Sequence, residues 1–167
     1  MRVGAVGLGS RTATVFNELL KINSDITMIS YVDPYPIGKK IAEENNFFPN
    51  QKYETLNEML KNENLDLLMV GSPNHLHLEH ITKGLEAGLK IFAEKPIVIS
   101  EKESFALAKL IKKYGKEKII VGLVLRYSQH AKSINKILNE KKIGEIISIE
   151  GSEHIVPSHG AFFMRNW

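Results

Sequence analysis

The chain has 167 residues, of which 43% are apolar and 25% are charged. This composition is typical of a folded globular protein, and it excludes intrinsically disordered, collagen-like and fibrous classes. Because the sequence contains no cysteine, disulfide frameworks, zinc ribbons and thiol catalysis are also excluded. The 22 basic residues exceed the 19 acidic ones, and they are mostly lysines scattered among glutamates. A solvated surface explains this excess better than a nucleic-acid-binding face, so we expect no nucleic-acid partner.

We also expect no association with a membrane. No apolar run approaches the roughly 18 residues that are needed to span a bilayer. The N-terminus lacks the pattern of a secretory signal peptide. The absence of cysteine is compatible with a reducing compartment. The sequence therefore predicts a soluble protein located in the cytoplasm.

Short apolar runs alternate with amphipathic stretches along the first 125 residues. The runs are apolar almost throughout, which is typical of strands covered on both faces of a sheet. We predict five strands, at residues 2–6, 27–32, 67–70, 91–93 and 119–124. Helices are predicted between them, and two have capping-box starts, Thr55-x-x-Glu58 and Ser100-x-x-Glu103. Regular alternation of strand and helix predicts an α/β fold with a doubly wound parallel sheet.

The pattern changes after residue 125. Residues 128–138 have the apolar period of a helix, and residues 146–150 read as a strand. The stretch 151–167 has neither a closing helix nor a hairpin partner for that strand. We therefore expect one complete domain over 1–125. Over 126–167 we expect a linker helix and the first strand of an incomplete domain, the truncated start of an α+β fold.

A glycine-rich loop, Gly7-Leu8-Gly9-Ser10-Arg11-Thr12, lies between the first strand and the first helix. Gly7 can take the tight turn, and Gly9 lets the backbone come close to a pyrophosphate. The helix N-terminus offers free N–H groups and its positive dipole to that anion. Thr12 stands where a third glycine is usual, so the dinucleotide fingerprint is imperfect. The alternative is that the two glycines only make a tight turn.

Asp33 follows the second strand, where a carboxylate can accept hydrogen bonds from an adenosine ribose. Its charge would repel a 2′-phosphate, so NAD is favoured over NADP. Arg11 and the pair Lys39-Lys40 are able to compensate for that charge. The alternative is that Asp33, which precedes Pro34, only begins a loop.

Two further segments follow the third and fourth strands, Ser72-Pro73-Asn74-His75-Leu76-His77 and Ala93-Glu94-Lys95-Pro96. Carboxyl ends of parallel strands share the edge of the sheet where ligands bind. We expect Asn74 to cap the helix that follows it. Lys95, held between a strand end and Pro96, is expected to be partly buried. A further hypothesis is that the Lys95–Pro96 peptide is cis.

These motifs, in this order and spacing, resemble the N-terminal NAD(P)-binding domain of the Gfo/Idh/MocA oxidoreductases over residues 1 to about 125. The resemblance implies a Rossmann fold, NAD as cofactor with NADP less favoured, and hydride transfer between the nicotinamide and a sugar, an inositol-like polyol or a related substrate. It implies a cofactor-binding set of Gly7, Leu8, Gly9, Ser10, Arg11, Asp33, Ser72, Pro73, Asn74, His77, Glu94 and Lys95. It also implies that Lys95 is catalytic, hydrogen-bonding the reacting substrate oxygen.

Family chains are about twice as long, and their C-terminal half binds substrate and often supports oligomer contacts. The resemblance thus implies a homo-oligomer when the protein is full length, and it implies that these 167 residues alone are inactive. Arg165-Asn166-Trp167 resembles a family segment whose tryptophan can approach the nicotinamide.

Other interpretations stay open. The chain could be a non-catalytic NAD(P)-binding module or a redox sensor. A Rossmann domain could also take another nucleotide-like ligand such as S-adenosylmethionine, although that ligand would not explain Glu94-Lys95-Pro96. His75, His77 and His80 lie close together in the sequence, but no carboxylate or cysteine joins them at a ligand spacing, so we predict no metal site. We expect His75 and His80 to be surface residues.

Overall fold

A computed structural model describes residues 1–157 of the chain. The predicted features at 158–167, which include the Arg165-Asn166-Trp167 segment, lie outside the described residues. The chain divides into two compact units, one covering Met1–Leu123 and the other beginning at Val124. Within residues 1–157, no helix combines the length and the apolar character that crossing a membrane would require.

The first unit is built on a sheet of six parallel strands. Their bounds are β1 Arg2–Val6, β2 Thr27–Val32, β3 Gln51–Lys52, β4 Leu67–Val70, β5 Lys90–Ala93 and β6 Ile119–Val121. The strand order is β3-β2-β1-β4-β5-β6. All five pairings are parallel. The chain therefore starts at the centre, runs outward to β3 and returns to build the other half beside β1, which confirms the predicted doubly wound parallel sheet.

The strands of this unit differ most from the predictions at β3 and at the end of β6, while β5 begins one residue earlier than predicted. β3 was not predicted, because Gln51 and Lys52 are polar and exposed and form only a two-residue edge. β6 ends at Val121, and the chain then forms a 3₁₀ turn over Val124–Tyr127 instead of continuing the strand to residue 124.

Five helices connect the strands of this unit. They are α1 Ser10–Ile22, α2 Lys39–Glu44, α3 Leu56–Asn62, α4 His77–Glu86 and α5 Glu101–Tyr114. The capping box predicted at Thr55 and Glu58 is confirmed in both directions. At α5 only half of the box is formed. The Ser100 hydroxyl accepts from the N–H of Glu103, whereas the Glu103 carboxylate accepts from the N–H of Ile99.

Helices cover both faces of the sheet, as the apolar strands predicted. Alternate residues of β4 belong to two separate hydrophobic clusters, one on each face of the sheet. Leu67 and Met69 belong to the first cluster, and Leu68 and Val70 belong to the second. Helices α1 and α2 pack on the first cluster, where Phe16 is completely buried, and α3, α4 and α5 pack on the second. Because both faces are filled, ligands have access to this sheet mainly at the edge where the strands end.

The second unit contains the 3₁₀ turn at Val124–Tyr127 and helix α6, Gln129–Asn139. The Ser128 hydroxyl caps α6 by accepting from the N–H of Ala131. The strand predicted at 146–150 is not formed, which is a correction. A strand needs a neighbour to satisfy its N–H and C=O groups. The part of this unit that the structure describes contains no strand to pair with.

Candidate functional site

The turn after β1 and the turn after β4 meet through their backbones. Gly7 has φ +84°, a left-handed conformation that glycine adopts without strain. A Cβ at Gly7 would clash with the main chain of Gly71 and Ser72. The N–H of Gly7 donates to the Val32 carbonyl at the end of β2. The predicted tight turn at Gly7 therefore draws three strand ends together.

Thr12, at the imperfect position of the fingerprint, closes the same turn. Its side chain is buried, and Oγ1 donates to the Gly7 carbonyl at 2.9 Å. A Cβ at Gly71 would clash with this hydroxyl. Gly71 therefore makes the room that Thr12 needs, and the close approach of helix and strand is kept without a third glycine.

Gly9 faces open space. Its φ of −75° suits any residue, and no heavy atom lies within 4 Å of where a Cβ would be. Neither the packing nor the conformation of the protein therefore requires glycine here. Gly9 is the N-cap of α1 and has no side chain to cap it, so within residues 1–157 the first N–H groups of the helix have no side-chain cap. Such an open helix start is suited to an anion.

The other residues of the loop contribute in different ways. Leu8 is completely buried, so it can offer a ligand only its main chain. Ser10 and Arg11 are exposed at the start of α1.

Gly38 also forms part of this loop, and the sequence did not indicate it. Its N–H donates to the Leu8 carbonyl at 3.0 Å. A Cβ there would lie 2.5 Å from the Gly9 carbonyl oxygen. A glycine just before a helix is a common signal, so nothing in the sequence linked Gly38 to residues 7–12.

Asp33 lies half-buried after β2. One carboxylate oxygen, Oδ1, accepts from the N–H of Tyr35 at 2.8 Å and so shapes its own loop. Among the residues that the structure describes, Oδ2 has no hydrogen-bond partner. Asp33 is thus partly engaged in the turn, and one of its oxygens remains for a ligand.

The segment after β4 corrects one expectation. Ser72 is buried, while Pro73 and Asn74 are exposed. A 3₁₀ turn over Asn74–Leu76 leads into α4, and in the described part of the chain neither element has a side-chain cap. Asn74 therefore does not cap the helix, because it lies inside the turn that precedes α4.

The His77 side chain contacts both predicted motifs, the one that begins at Ser72 and the one that ends at Pro96. The imidazole is 1% exposed. Its Nε2 lies 2.8 Å from the Ser72 carbonyl oxygen, and its Nδ1 lies 2.8 Å from the Pro96 carbonyl oxygen. Both ring nitrogens face protein carbonyls, so the side chain has no polar atom left for a ligand. The His77 side chain thus lies inside the domain, between the loops of Ser72 and Pro96. Its place at the border of the cofactor, which the resemblance implies, stays a prediction.

His80 is not the surface residue that we expected. Its Nδ1 lies 2.8 Å from Oγ of Ser72, and burial lowers the pKa of its imidazole below the usual 6.5. Glu79 opposes this shift in pKa through its charge. His75, by contrast, is exposed as expected.

Glu94 places a buried carboxyl group at the end of β5. The residue is 9% exposed, and its N–H donates to the Val70 carbonyl of β4. Oε1 is buried and has no hydrogen-bond partner within residues 1–157. A Cβ at Gly122 would lie 3.1 Å from that oxygen, so the glycine after β6 makes room for it. An unpaired buried acceptor costs about 1–3 kcal/mol, which favours a ligand that donates a hydrogen bond to Oε1.

Lys95 follows Glu94 and is exposed, which corrects the expectation of partial burial. None of the ion pairs among the described residues involves it. The hypothesis about the following peptide is confirmed, since Lys95–Pro96 is cis. Because His77 holds the Pro96 carbonyl, the lysine backbone is fixed while its side chain remains accessible.

Within residues 1–157, no group of three or more histidine, aspartate or glutamate side chains is arranged to hold a metal ion. The polar groups described above lie at the carboxyl ends of β1, β2, β4 and β5. The order in which successive strands are added reverses between β1 and β4, and ligands of open α/β sheets bind outside such a switch point. Fold and site together define a dinucleotide-binding type of α/β domain.

Comparison with known proteins assigns the family. The model of an oxidoreductase family with an NAD-binding Rossmann fold matches residues 1–123, so the chain belongs to the Gfo/Idh/MocA family. It is 26% identical to the inositol 2-dehydrogenase of Corynebacterium glutamicum, over 99% of this chain and 49% of that protein. The chain thus spans about half the length of this relative.

Two solved structures share the fold. The myo-inositol 2-dehydrogenase of Lactobacillus plantarum has a TM-score of 0.74 and 24% identity, covering 88% of this chain and 43% of that one. The scyllo-inositol dehydrogenase of Lactobacillus casei, with bound NAD(H) and scyllo-inositol, has a TM-score of 0.74 and 22% identity, covering 87% and 43%.

Proposed function

We propose that residues 1–123 bind NAD(H) and that this chain is the cofactor-binding part of an oxidoreductase acting on a CH–OH group. The observation that carries the proposal is Oε1 of Glu94, which has no partner among residues 1–157 and is buried at the same edge of the sheet as the open helix start at Gly9. The carboxylate oxygen of Glu94 is suited to a hydroxyl or amide donor, and the helix start at Gly9 is suited to an anion. A dinucleotide carries both kinds of group.

The glycine loop would hold the pyrophosphate. Helix α1 begins at Ser10, so the N–H groups of Ser10 and Arg11 have no partner within the helix. The absence of a side chain at Gly9 would let a phosphate come close to them. Leu8 would contribute through its main chain, and the exposed guanidinium of Arg11 adds positive charge beside the anion.

Asp33 would accept a hydrogen bond from the adenosine ribose through Oδ2, since Oδ1 already accepts from Tyr35. A second negative charge, on a 2′-phosphate, would be repelled there, so NAD is preferred over NADP.

The nicotinamide end would lie near Ser72, Pro73, Asn74 and Glu94. Glu94 would accept a hydrogen bond from a cofactor hydroxyl or amide, and His77 would act indirectly by fixing the loops of Ser72 and Pro96. Bound NAD⁺ supplies the hydride acceptor and NADH the donor. Lys95 would be the catalytic residue, with its exposed ammonium hydrogen-bonding the reacting substrate oxygen and stabilising the charge that develops there.

The substrate class rests on likeness. The inositol 2-dehydrogenase relative suggests a polyol or sugar, but about half of its length has no counterpart here. We therefore propose that a further domain, of which 126–167 would be the beginning, completes the substrate site and supports a homo-oligomer. A cytoplasmic location, where NAD(H) is available to such enzymes, belongs to the same proposal.

The proposal is tested by calorimetric titration of the chain with NAD⁺ and with S-adenosylmethionine. We expect NAD⁺ to bind and Glu94→Gln to weaken binding about tenfold through the loss of a charge-assisted hydrogen bond. Glu86→Gln, an exposed change at the far end of α4, is the matched control and should bind like the unchanged chain. Binding of S-adenosylmethionine but not of NAD⁺ would refute the proposal.

A non-catalytic NAD-binding module or redox sensor is the alternative, and activity separates it from an enzyme. Hydride transfer with inositol is measured for this chain alone and for the chain fused to the C-terminal half of an inositol 2-dehydrogenase. We expect turnover only in the fusion, and Lys95→Ala should abolish it. A fusion that binds NAD⁺ without any turnover on polyols or sugars would favour the module.

A further inference from the structure

Two histidines of α4 hold a single residue of the proposed cofactor site. His77 Nε2 lies 2.8 Å from the carbonyl oxygen of Ser72, and His80 Nδ1 lies 2.8 Å from its hydroxyl oxygen. The main chain of Ser72 is therefore fixed by one histidine and its side chain by the other. The sequence motif contains only the first of these, so His80 has no role in the function described above.

The bond between His80 and Ser72 determines what the serine can offer a ligand. A serine hydroxyl has one hydrogen to donate and two lone pairs that accept. A neutral imidazole whose Nδ1 bears no hydrogen takes that one hydrogen. The serine hydrogen is then used in the bond to His80, so Oγ of Ser72 can only accept a hydrogen bond from a ligand.

We propose that His80 is a positioning residue for the cofactor, because it takes the hydroxyl hydrogen of Ser72 and leaves Oγ facing the cofactor as an acceptor. This inference rests on the proposed function. At the nicotinamide end of NAD, the carboxamide and the ribose hydroxyls donate hydrogen bonds, so either can pair with an oxygen prepared in this way.

Protonation of His80 reverses the direction of this hydrogen bond. An imidazolium bears hydrogen on both nitrogens, so Nδ1 must then donate to Ser72 and the serine hydrogen turns toward the ligand. Burial lowers the pKa of His80, as do the charges of Lys83 and His77, while the charge of Glu79 raises it. Within residues 1–157, the charged groups that influence this pKa all lie on α4, and Glu79 and Lys83 already form a 2.7 Å ion pair. His80 is thus neutral near pH 7, and the reversal belongs to acid conditions.

The experiment is a calorimetric titration of the 167-residue chain with NAD⁺ at several values between about pH 5 and pH 8. We expect the affinity of the unchanged chain to fall by about tenfold toward the acid end, since one hydrogen bond to the cofactor is lost. His80→Asn should remove most of this pH dependence, because the Asn carbonyl oxygen can stand near the position of Nδ1 and accepts at every pH. His75→Asn, the same change at an exposed histidine two residues before His77, is the matched control and should keep the pH dependence.

His80→Ala and Ser72→Ala separate positioning from folding. His80→Ala should bind NAD⁺ several-fold more weakly at neutral pH, and His80→Asn should recover most of that loss. A ligand-free measurement, the ¹⁵N chemical shift of His80 Nδ1, should change in Ser72→Ala if Nδ1 accepts the serine hydrogen. An unchanged shift would overturn the inference whether or not NAD⁺ binds.

The remaining outcomes also distinguish the two proposals. If the unchanged chain binds NAD⁺ but His80→Asn keeps the full pH dependence, His80 does not position Ser72 and only this inference is lost. If the chain fails to bind NAD⁺ at every pH, the proposed function fails and the positioning role fails with it.

Discussion

The hydroxyl of Thr12 occupies the space that the missing side chain of Gly71 leaves at the end of β4. This fit connects the start of α1 to the neighbouring strand, and a change on either side must disturb the other. We expect Gly71→Ala to lower the free energy of unfolding by about 2–4 kcal/mol, because a methyl group would overlap buried Oγ1 of Thr12. Urea denaturation measures this loss. Adding Thr12→Gly should recover part of it, and a purely additive double variant would contradict the fit.

An alanine substitution at Gly9, unlike one at Gly71, should leave stability almost unchanged and weaken NAD⁺ binding instead. A Cβ at Gly9 meets no heavy atom within 4 Å, so Gly9→Ala should change the free energy of unfolding by less than about 0.5 kcal/mol. If a phosphate approaches this face of the loop, the same methyl group should weaken NAD⁺ binding at least about tenfold. Denaturation and calorimetry on one sample give both values. Normal affinity in Gly9→Ala would show that no ligand approaches the loop at this point.

His77 supports both motif loops, so its loss should affect folding. His77→Ala removes an imidazole whose two nitrogens lie 2.8 Å from the carbonyl oxygens of Ser72 and Pro96, and it leaves a cavity in a buried place. We expect a loss of about 2–4 kcal/mol in the free energy of unfolding. His75→Ala, an exposed change on the preceding 3₁₀ turn, is the control. A loss equal to that of the control would mean that these contacts contribute nothing to stability.

The lowered pKa of His80 gives stability a defined dependence on pH. The unfolded state binds a proton at about the ordinary pKa of 6.5, while the folded state resists it to lower pH. Between these two pKa values the unfolded state holds more protons, so stability rises with pH. The melting temperature should therefore fall as the pH drops below about 6.5, and by less in His80→Asn than in the unchanged chain. Identical pH profiles would show that His80 is not the titrating group.

Asp33 should control the choice between NAD and NADP. Asp33→Ser removes the charge that would repel a 2′-phosphate and one acceptor for the ribose. We expect NAD⁺ affinity to fall about tenfold and NADP⁺ affinity to rise relative to it. Titration of both cofactors with both proteins checks this. An unchanged ratio of the two affinities would place the ribose elsewhere.

The parts of the fold that could be predicted from the sequence are those with a strong local pattern. The five predicted strands are apolar almost throughout because helices cover both faces of the sheet, whereas the edge strand at Gln51–Lys52 is short and polar and gives no such signal. The apolar run at 146–150, by contrast, does not form the expected strand. An apolar run predicts a strand only where another strand is available to pair with it.

The site divides in a similar way. Main-chain features such as the turn at Gly7 follow from local sequence. The roles of Thr12, Gly38 and His80 depend on contacts between distant segments, with Gly71, Leu8 and Ser72 respectively. The exposure of Lys95 was missed for the same reason, because the packing of its neighbours cannot be read from its place after a strand.

The space beside Glu94 has a consequence for how the first unit ends. The N–H of Gly122 donates to the Ala93 carbonyl. The next residue, Leu123, is the last residue of the first unit. The backbone that borders the Glu94 carboxylate is therefore also the backbone at which the first unit ends. The room beside the Glu94 carboxylate and the last backbone pairing of the first unit therefore depend on the same glycine.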